Sequence, residues 1–513
     1  MNENNHRRRR RRGQNKCTSL SSPRVPNYRQ LRHAFPPQSI FTLDEVQNIH
    51  ETALRVLQEL GIKVLLPEAR DLFAKAGARI HDQMVFIGRD IVEAALHTAP
   101  TSIKLRAANA KREQIYENGS MIFAPAGGCP NANDRRRGRR PGSLESHRET
   151  LKLVQSFDVM HTFGPTVEPQ DVPIHLRHYA MMQAQLELGD KPLHIFSRGH
   201  QQVQQSFEMI QLGLRLSDDD FIDGAWAYTV INSNSPRMLD QPMAQGLIDF
   251  ARSGQLSIIT PFCLAGAMVP VTVAGALTLQ HAEALCGITL AQLAKPGAPI
   301  SYGGFSSNVD MKSGSPSFGT PEHVKMQIGA GQLARSIGLP WRSAAGAASN
   351  VADMQAATEN TMAVWGSCMA NATLTIHSAG WLEGGLTFGY EKFINDIESL
   401  QRIAELSLKP NATDAEIGFD ALADVQPGGH FFSTQHTMDR YATAFYSPLV
   451  ADLSNFENWQ DNGSKTATER ATDIWQQVLM DYTPPLTGGE AMVEKLAPTI
   501  ERHTKNGGAP PME

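Results

Sequence analysis

From Met121 to about Ala404 the chain alternates short apolar runs with helical stretches, and this alternation limits the fold more than any other feature of the sequence. The apolar runs are MIFAPA at 121, VMHTFG at 159, LHIFS at 193, AWAYTVI at 225, LSIIT at 256, PISYGG at 299, WRSAA at 341 and ATLTIH at 372. Runs apolar on both faces are what parallel strands covered by helices require. Helical patterns fit between them, from Leu144 to Phe157, Ile174 to Leu188, Gln201 to Leu216, Met243 to Arg252, Val271 to Ala294, Glu322 to Ile337 and Ala352 to Met369, with a last one from Tyr390 to Ala404. Thr320 as cap, Pro321 at the first helical position, and Gly338 and Pro340 past the end punctuate one of them sharply. Eight such units in some 260 residues predict an α/β fold, a (β/α)8 TIM barrel. The seventh unit, with a short polar strand, is the weakest.

The flanks read differently. Residues 1–35 carry six consecutive arginines, Arg7 to Arg12, and predict a disordered, solvated tail rather than a nucleic-acid arm. A helical prelude is expected in residues 36–115, opened by the capping box of Thr42 and Glu45 and continued from Pro67 to Ala76 and from Asp90 to His97. The barrel then occupies 116–410, and 411–513 is a C-terminal helical extension packed on it, with helices from Ala467 to Met480 and Ala491 to Arg502 and a frayed NGGAPPME end. A net charge of -5 and 41% hydrophobic residues exclude a globally basic nucleic-acid binder. Five cysteines without CxxC spacing indicate a reduced compartment, the cytoplasm. The uncharged stretch Leu256 to Leu279 is long enough for a bilayer, but Pro261 and Pro270 make it a strand, a loop and a helix start.

Working groups of a barrel sit at the C-terminal ends of its strands. Those positions hold Phe123, Phe163, Arg198, His200, Asn232, Asn234, Phe262, Tyr302, Phe305, Asn308, Arg342, His377, Trp381 and Glu383, rich in aromatics and poor in carboxylates. There is no HxH or HExxH, which argues against a bound metal, and His430 and His436 are loosely spaced. P-loop, GxGxxG and GxSxG motifs are absent, and neither Cys129 nor Cys368 has an identifiable partner base. Two readings of the aromatics stand side by side. They line a pocket for a cation, best a quaternary ammonium that cannot donate hydrogen bonds, or they cap the barrel core. The stretch NATLTIHSAGWLEGGLT from Asn371 to Thr387 concentrates a titratable ring, an indole, an acid and several glycines at one strand end.

The runs FAPAGGCPNANDRRRGRRPGSLESHRE, TPFCLAGAMVPVTVAGALTLQHAEALCGITLAQLAKPGAPISYGGFSSNVDMKSG, HSAGWLEGGLTFGYEKF and FYSPLVADLSNFENW resemble the trimethylamine methyltransferase family of corrinoid-dependent enzymes. The resemblance implies a barrel that passes a methyl group from an amine nitrogen to Co(I) of a corrinoid (cobalamin) carried by a separate small protein, with no metal bound directly and a homo-oligomeric state expected. The founding enzymes insert pyrrolysine. This chain shows only standard residues and looks like the branch without it, which demethylates quaternary amines such as glycine betaine, proline betaine and carnitine. The alternatives are methyl transfer from another methylated amine or a sulfonium, and a non-catalytic betaine-binding barrel. On this reading His377 and Glu383 are the catalytic candidates, the ring near the methyl or the cobalt's upper face and the carboxylate as an orienting anion. Trp381, Tyr302, Phe262 and Phe305 form a partial cage, Arg198 or Arg342, or the amides Asn232 and Asn234, take a carboxylate, and Gly303, Gly304, Gly384 and Gly385 admit the corrinoid. A quaternary nitrogen leaves as a neutral amine, so no acid is needed, and a very strong cage would favour substrate over transition state.

Overall fold

Parallel pairing runs in chain order around a closed ring. In the computed structural model, which describes residues 27–512, the strand Leu193–His194 pairs with Ala227–Ile231, that with Leu256–Ile259, then Ile300–Gly303, Trp341–Ala344 and Leu374–Ile376, and the last pairs with Ser120–Phe123. Closure comes from residues 159–163, whose His161 N–H donates to the Phe123 carbonyl at 3.0 Å and whose Phe163 N–H donates to the Pro192 carbonyl at 3.0 Å. Each strand is followed by a helix, from Leu144–Ser156 around to Tyr390–Leu406. The fold is the expected α/β barrel.

The weak unit is the second, not the seventh. Trp341–Ala344 is buried throughout and paired on both sides. Residues 159–163 form no regular ladder, because the His161 side chain takes a backbone partner: its Nδ1 accepts the Phe123 N–H at 2.9 Å. The space beside them is filled by Leu31–Arg32, antiparallel to Met121 and Ser120. Tyr28 and Leu31 are buried there, so residues 28–35, assigned by sequence to the tail, are part of the barrel edge. The arginine run Arg7 to Arg12 lies outside the described residues.

Two further features shape the interior. The hairpin Ser102–Leu105 with Gln114–Glu117 plugs the N-terminal end of the ring, where Ile103, Leu105 and Tyr116 pack against Ile122, Tyr228, Leu256 and Leu374. The tyrosine hydroxyl reaches Ser301 Oγ at 2.9 Å. The prelude forms the helices Leu43–Arg55, Pro67–Lys75 and Arg89–Thr98, with the Thr42–Glu45 capping box in place, and adds a small sheet that the sequence does not announce. The uncharged stretch from 256 divides into the strands Leu256–Ile259 and Phe262–Ala265 and the start of the helix Val273–Ala294. No helix among the described residues is long and apolar enough to cross a membrane.

Residues 409–447 group with Asn27 as a separate unit carrying the short helices Asp414–Ile417, Phe419–Asp424 and Gln435–Arg440. In the larger unit, Ala467–Met480 packs on Tyr390–Leu406, and Glu490–Lys505 packs on Arg177–Leu188 and His200–Leu214. The stretch after Lys505 is not frayed: Ala509 is 0% exposed.

Candidate functional site

Where the strand Leu374–Ile376 ends, the backbone turns sharply at His377, whose φ of 60° is left-handed. The turn is held by its neighbours: the His377 N–H donates to the Pro125 carbonyl, the Ser378 N–H to the Ala124 carbonyl, and the Gly380 N–H to buried Asp396. Asn360 joins the loop to the one before it, accepting the Gly346 N–H and donating to the Ser378 carbonyl. This seats the Trp381 indole between two glycines. A Cβ on Gly346 would lie 3.0 Å from the indole and one on Gly385 2.5 Å, so neither position has room for a side chain.

The mouth of the barrel encloses a cavity of about 440 Å³. Phe305 is its aromatic centre, with ring centroids 5.3 Å from Phe262, 5.5 Å from His377 and 5.7 Å from Trp381. Arg342 stands beside these rings, its Cζ 5.5 Å from the Phe305 centroid, at 2% exposure. It donates to the Gly304 carbonyl and to His377 Nε2, each at 3.4 Å. No carboxylate among the described residues pairs with it, and none lines the cavity. Burial therefore pulls its pKa down from 12.5 to about 10, opposed only by the Tyr116 and Tyr228 phenols. Burial, then Arg342 and His194, hold His377 well below the ordinary histidine value, so its ring is neutral. Since Nε2 accepts from Arg342, the ring proton sits on Nδ1. That Nδ1, Arg342 Nε and Trp381 Nε1 are three buried donors without a partner, and each belongs to a residue lining the cavity.

The sequence-predicted set divides. His377, Trp381, Phe262, Phe305, Asn232, Arg198, Arg342, Gly384 and Gly385 line the cavity together. Tyr302 does not. It is on the outer face of its strand, its hydroxyl receiving Gln280 Nε2 and meeting His281 Nδ1, each at 3.2 Å, because alternation along the strand turns its side chain to the helix layer. Gly303 and Gly304 have no opening before them: a Cβ would meet the Ile259 carbonyl and Gln280, each at 2.4 Å. Glu383 points to the hairpin Asn131–Asp134 with Gly138–Pro141, where Arg139 binds its carboxylate through two nitrogens at 2.9 and 3.0 Å. Among the lining residues that the strand-end reading misses are His194, Phe196, Tyr228 and Thr260. Alternation back from Asn232 through Val230 to Tyr228, and from Phe262 to Thr260, carried the signal for two of them.

The cysteines are not poised as nucleophiles. Burial pushes the Cys129 thiol up and the Cys368 thiol up to about 12, the opposite of an activated nucleophile. No group of three or more metal-ligating side chains occurs among the described residues.

Residues 6–508 match the model of the trimethylamine methyltransferase (MTTB) family. A glycine betaine methyltransferase from Desulfitobacterium hafniense is 33% identical over 452 residues, covering 88% of this chain and 94% of that protein. The trimethylamine methyltransferase MttB of another strain of that species is 28% identical over 469 residues, covering 90% and 92%. Among solved structures, the Methanosarcina barkeri monomethylamine methyltransferase (MtmB) aligns at 9% identity and a TM-score of 0.43 over 86% of this chain and 93% of that one.

Proposed function

The chain belongs to the trimethylamine methyltransferase family, and on that premise we propose that it takes a methyl group from a zwitterionic quaternary amine, glycine betaine or a close analogue, and passes it to a corrinoid held by a separate protein. Arg342 carries this reading. A buried guanidinium without a counter-charge, beside aromatic rings and two further unpaired donors, asks for a ligand that brings a carboxylate and a cation together. The ammonium lies against Phe305, Phe262 and Trp381, and the carboxylate takes Arg342.

A corrinoid brought by a partner protein would supply the nucleophile, Co(I). Gly127, Gly128, Gly384 and Gly385 of the lining would receive it, since they offer backbone rather than side chains. Everything else falls to this chain's residues. The displaced amine is neutral and takes no proton, in keeping with a neutral His377 and a cavity without a carboxylic acid. Arg342 does more than bind: as the methyl leaves, positive charge drains from nitrogen, and its repulsion by the guanidinium is relieved in the transition state. The aromatic walls position the methyl and exclude water.

The test is demethylation in the presence of cob(I)alamin, followed as dimethylglycine released from glycine betaine. Choline and tetramethylammonium, which keep the cation and lack the carboxylate, should react poorly. Equal turnover of choline and glycine betaine would remove Arg342 from its role.

A further inference from the structure

The stretch 506–512 crosses two loops that build one wall of the cavity. After the helix Glu490–Lys505, Gly507 and Gly508 turn the chain back with φ of 94° and 69°. The Ala509 N–H then donates to the His175 carbonyl at 2.9 Å, the Ala509 carbonyl accepts Gln202 Nε2 at 2.8 Å, and the Met512 N–H donates to the Arg198 carbonyl at 2.9 Å. Gly199, at a φ of 119°, lies so close beneath Met512 that a Cβ would be 2.8 Å from the methionine Cβ.

The anchor points fall, at Gln202, on the first turn of the helix His200–Leu214 and on the loops after the second and third strands. One carries Glu168 and the other Phe196 and Arg198, both of which line the cavity. Arg198 Nη1 binds Glu168 Oε1 at 2.6 Å, and Arg177 binds the same oxygen at 2.7 Å. Two guanidiniums on one carboxylate leave a positive charge at the rim, on the path of an incoming carboxylate.

We propose that residues 506–512 are a positioning segment of the site: they staple these two loops together and so hold Arg198 and Phe196 at the cavity wall. The effect on catalysis rests on the betaine reading above; the staple itself does not. Hydrogen exchange of the full chain is therefore compared with a chain shortened after Asn506, and with Ala509→Glu, which keeps the length and drives a charge into the buried anchor. Amides of 166–176 and 195–202 should exchange about tenfold faster in both variants, while the strands Leu256–Ile259 and Leu374–Ile376 keep their protection. Unchanged exchange in those two loops overturns the proposal. With glycine betaine and cob(I)alamin, shortening should raise KM roughly tenfold and leave kcat within about twofold. In an Arg198→Ala background the same shortening should add much less than in the parent, because only the part that acts through Phe196 remains. Losses that multiply would assign the segment a general stabilising role and overturn its function in positioning. A full chain inert toward glycine betaine would count against the substrate reading and leave the exchange result to decide the staple.

Discussion

Arg342 is the residue on which stability and function pull in opposite directions. Lowering its pKa from 12.5 to about 10 corresponds to roughly 3 kcal/mol of destabilisation in the empty cavity. Arg342→Met keeps the length and removes the charge, so it should raise the unfolding midpoint in denaturant while weakening glycine betaine binding by about 3 kcal/mol in calorimetry. A variant both less stable and equally tight would mean that the guanidinium has a partner in the folded protein. Trp381→Ala should weaken the same binding by only about 1 to 2 kcal/mol, the scale of one cation–π wall. Glu383 belongs to another category. Its carboxylate serves Arg139 outside the cavity, so Glu383→Gln should retain turnover within about tenfold, well short of the loss expected when a group touching the reacting centre is removed.

At the scale of elements, the loop from His377 to Gly385 works because backbone, not side chain, surrounds Trp381. Gly385→Ala should displace the indole and lower kcat/KM for glycine betaine by about an order of magnitude, with far-ultraviolet circular dichroism unchanged. Turnover at the parent level would show that the ring position is not critical. This loop was legible in the sequence because a β-branched run ending in His, Trp and glycines is a local pattern. The barrel helices were legible for the same reason, their caps and periods being local too. Tyr302 was misplaced because being at a strand's end does not say which face it takes, and its neighbours Ser301 and Gly303 are small enough to hide the alternation. The second strand was overrated because the His161 side chain, in competition with the backbone, decides its pairing. Arg342 was named, but its significance lay in missing a partner, a property of three dimensions.

For the whole molecule, acid should act on the fold before it acts on the chemistry. Burial lowers His147, His161 and His323 to about 4, and His194 and His281 to about 3, from 6.5. A histidine held neutral by the fold binds its proton only when unfolded, so between pH 6.5 and those values the unfolded chain carries more protons. Stability is therefore complete above about pH 6.5 and is lost as the pH falls toward 4. Each such group contributes up to about 1.4 kcal/mol per pH unit, and five together roughly 7 kcal/mol per unit, comparable to the whole stability of an ordinary domain. The melting temperature should be level from pH 7 to 8 and should collapse between about pH 6 and 4.5. Two of the lowered histidines, His194 and His377, line the cavity, so an acid limb in the rate invites an assignment to catalysis. Measuring turnover and circular dichroism across the same pH series separates the causes. The two should fall together, because the transfer moves a methyl cation and no proton. Activity lost at pH 6 from a chain still fully folded would show that a group in the cavity titrates there and works only in its neutral form, and the acid limb would then belong to the site rather than to the fold.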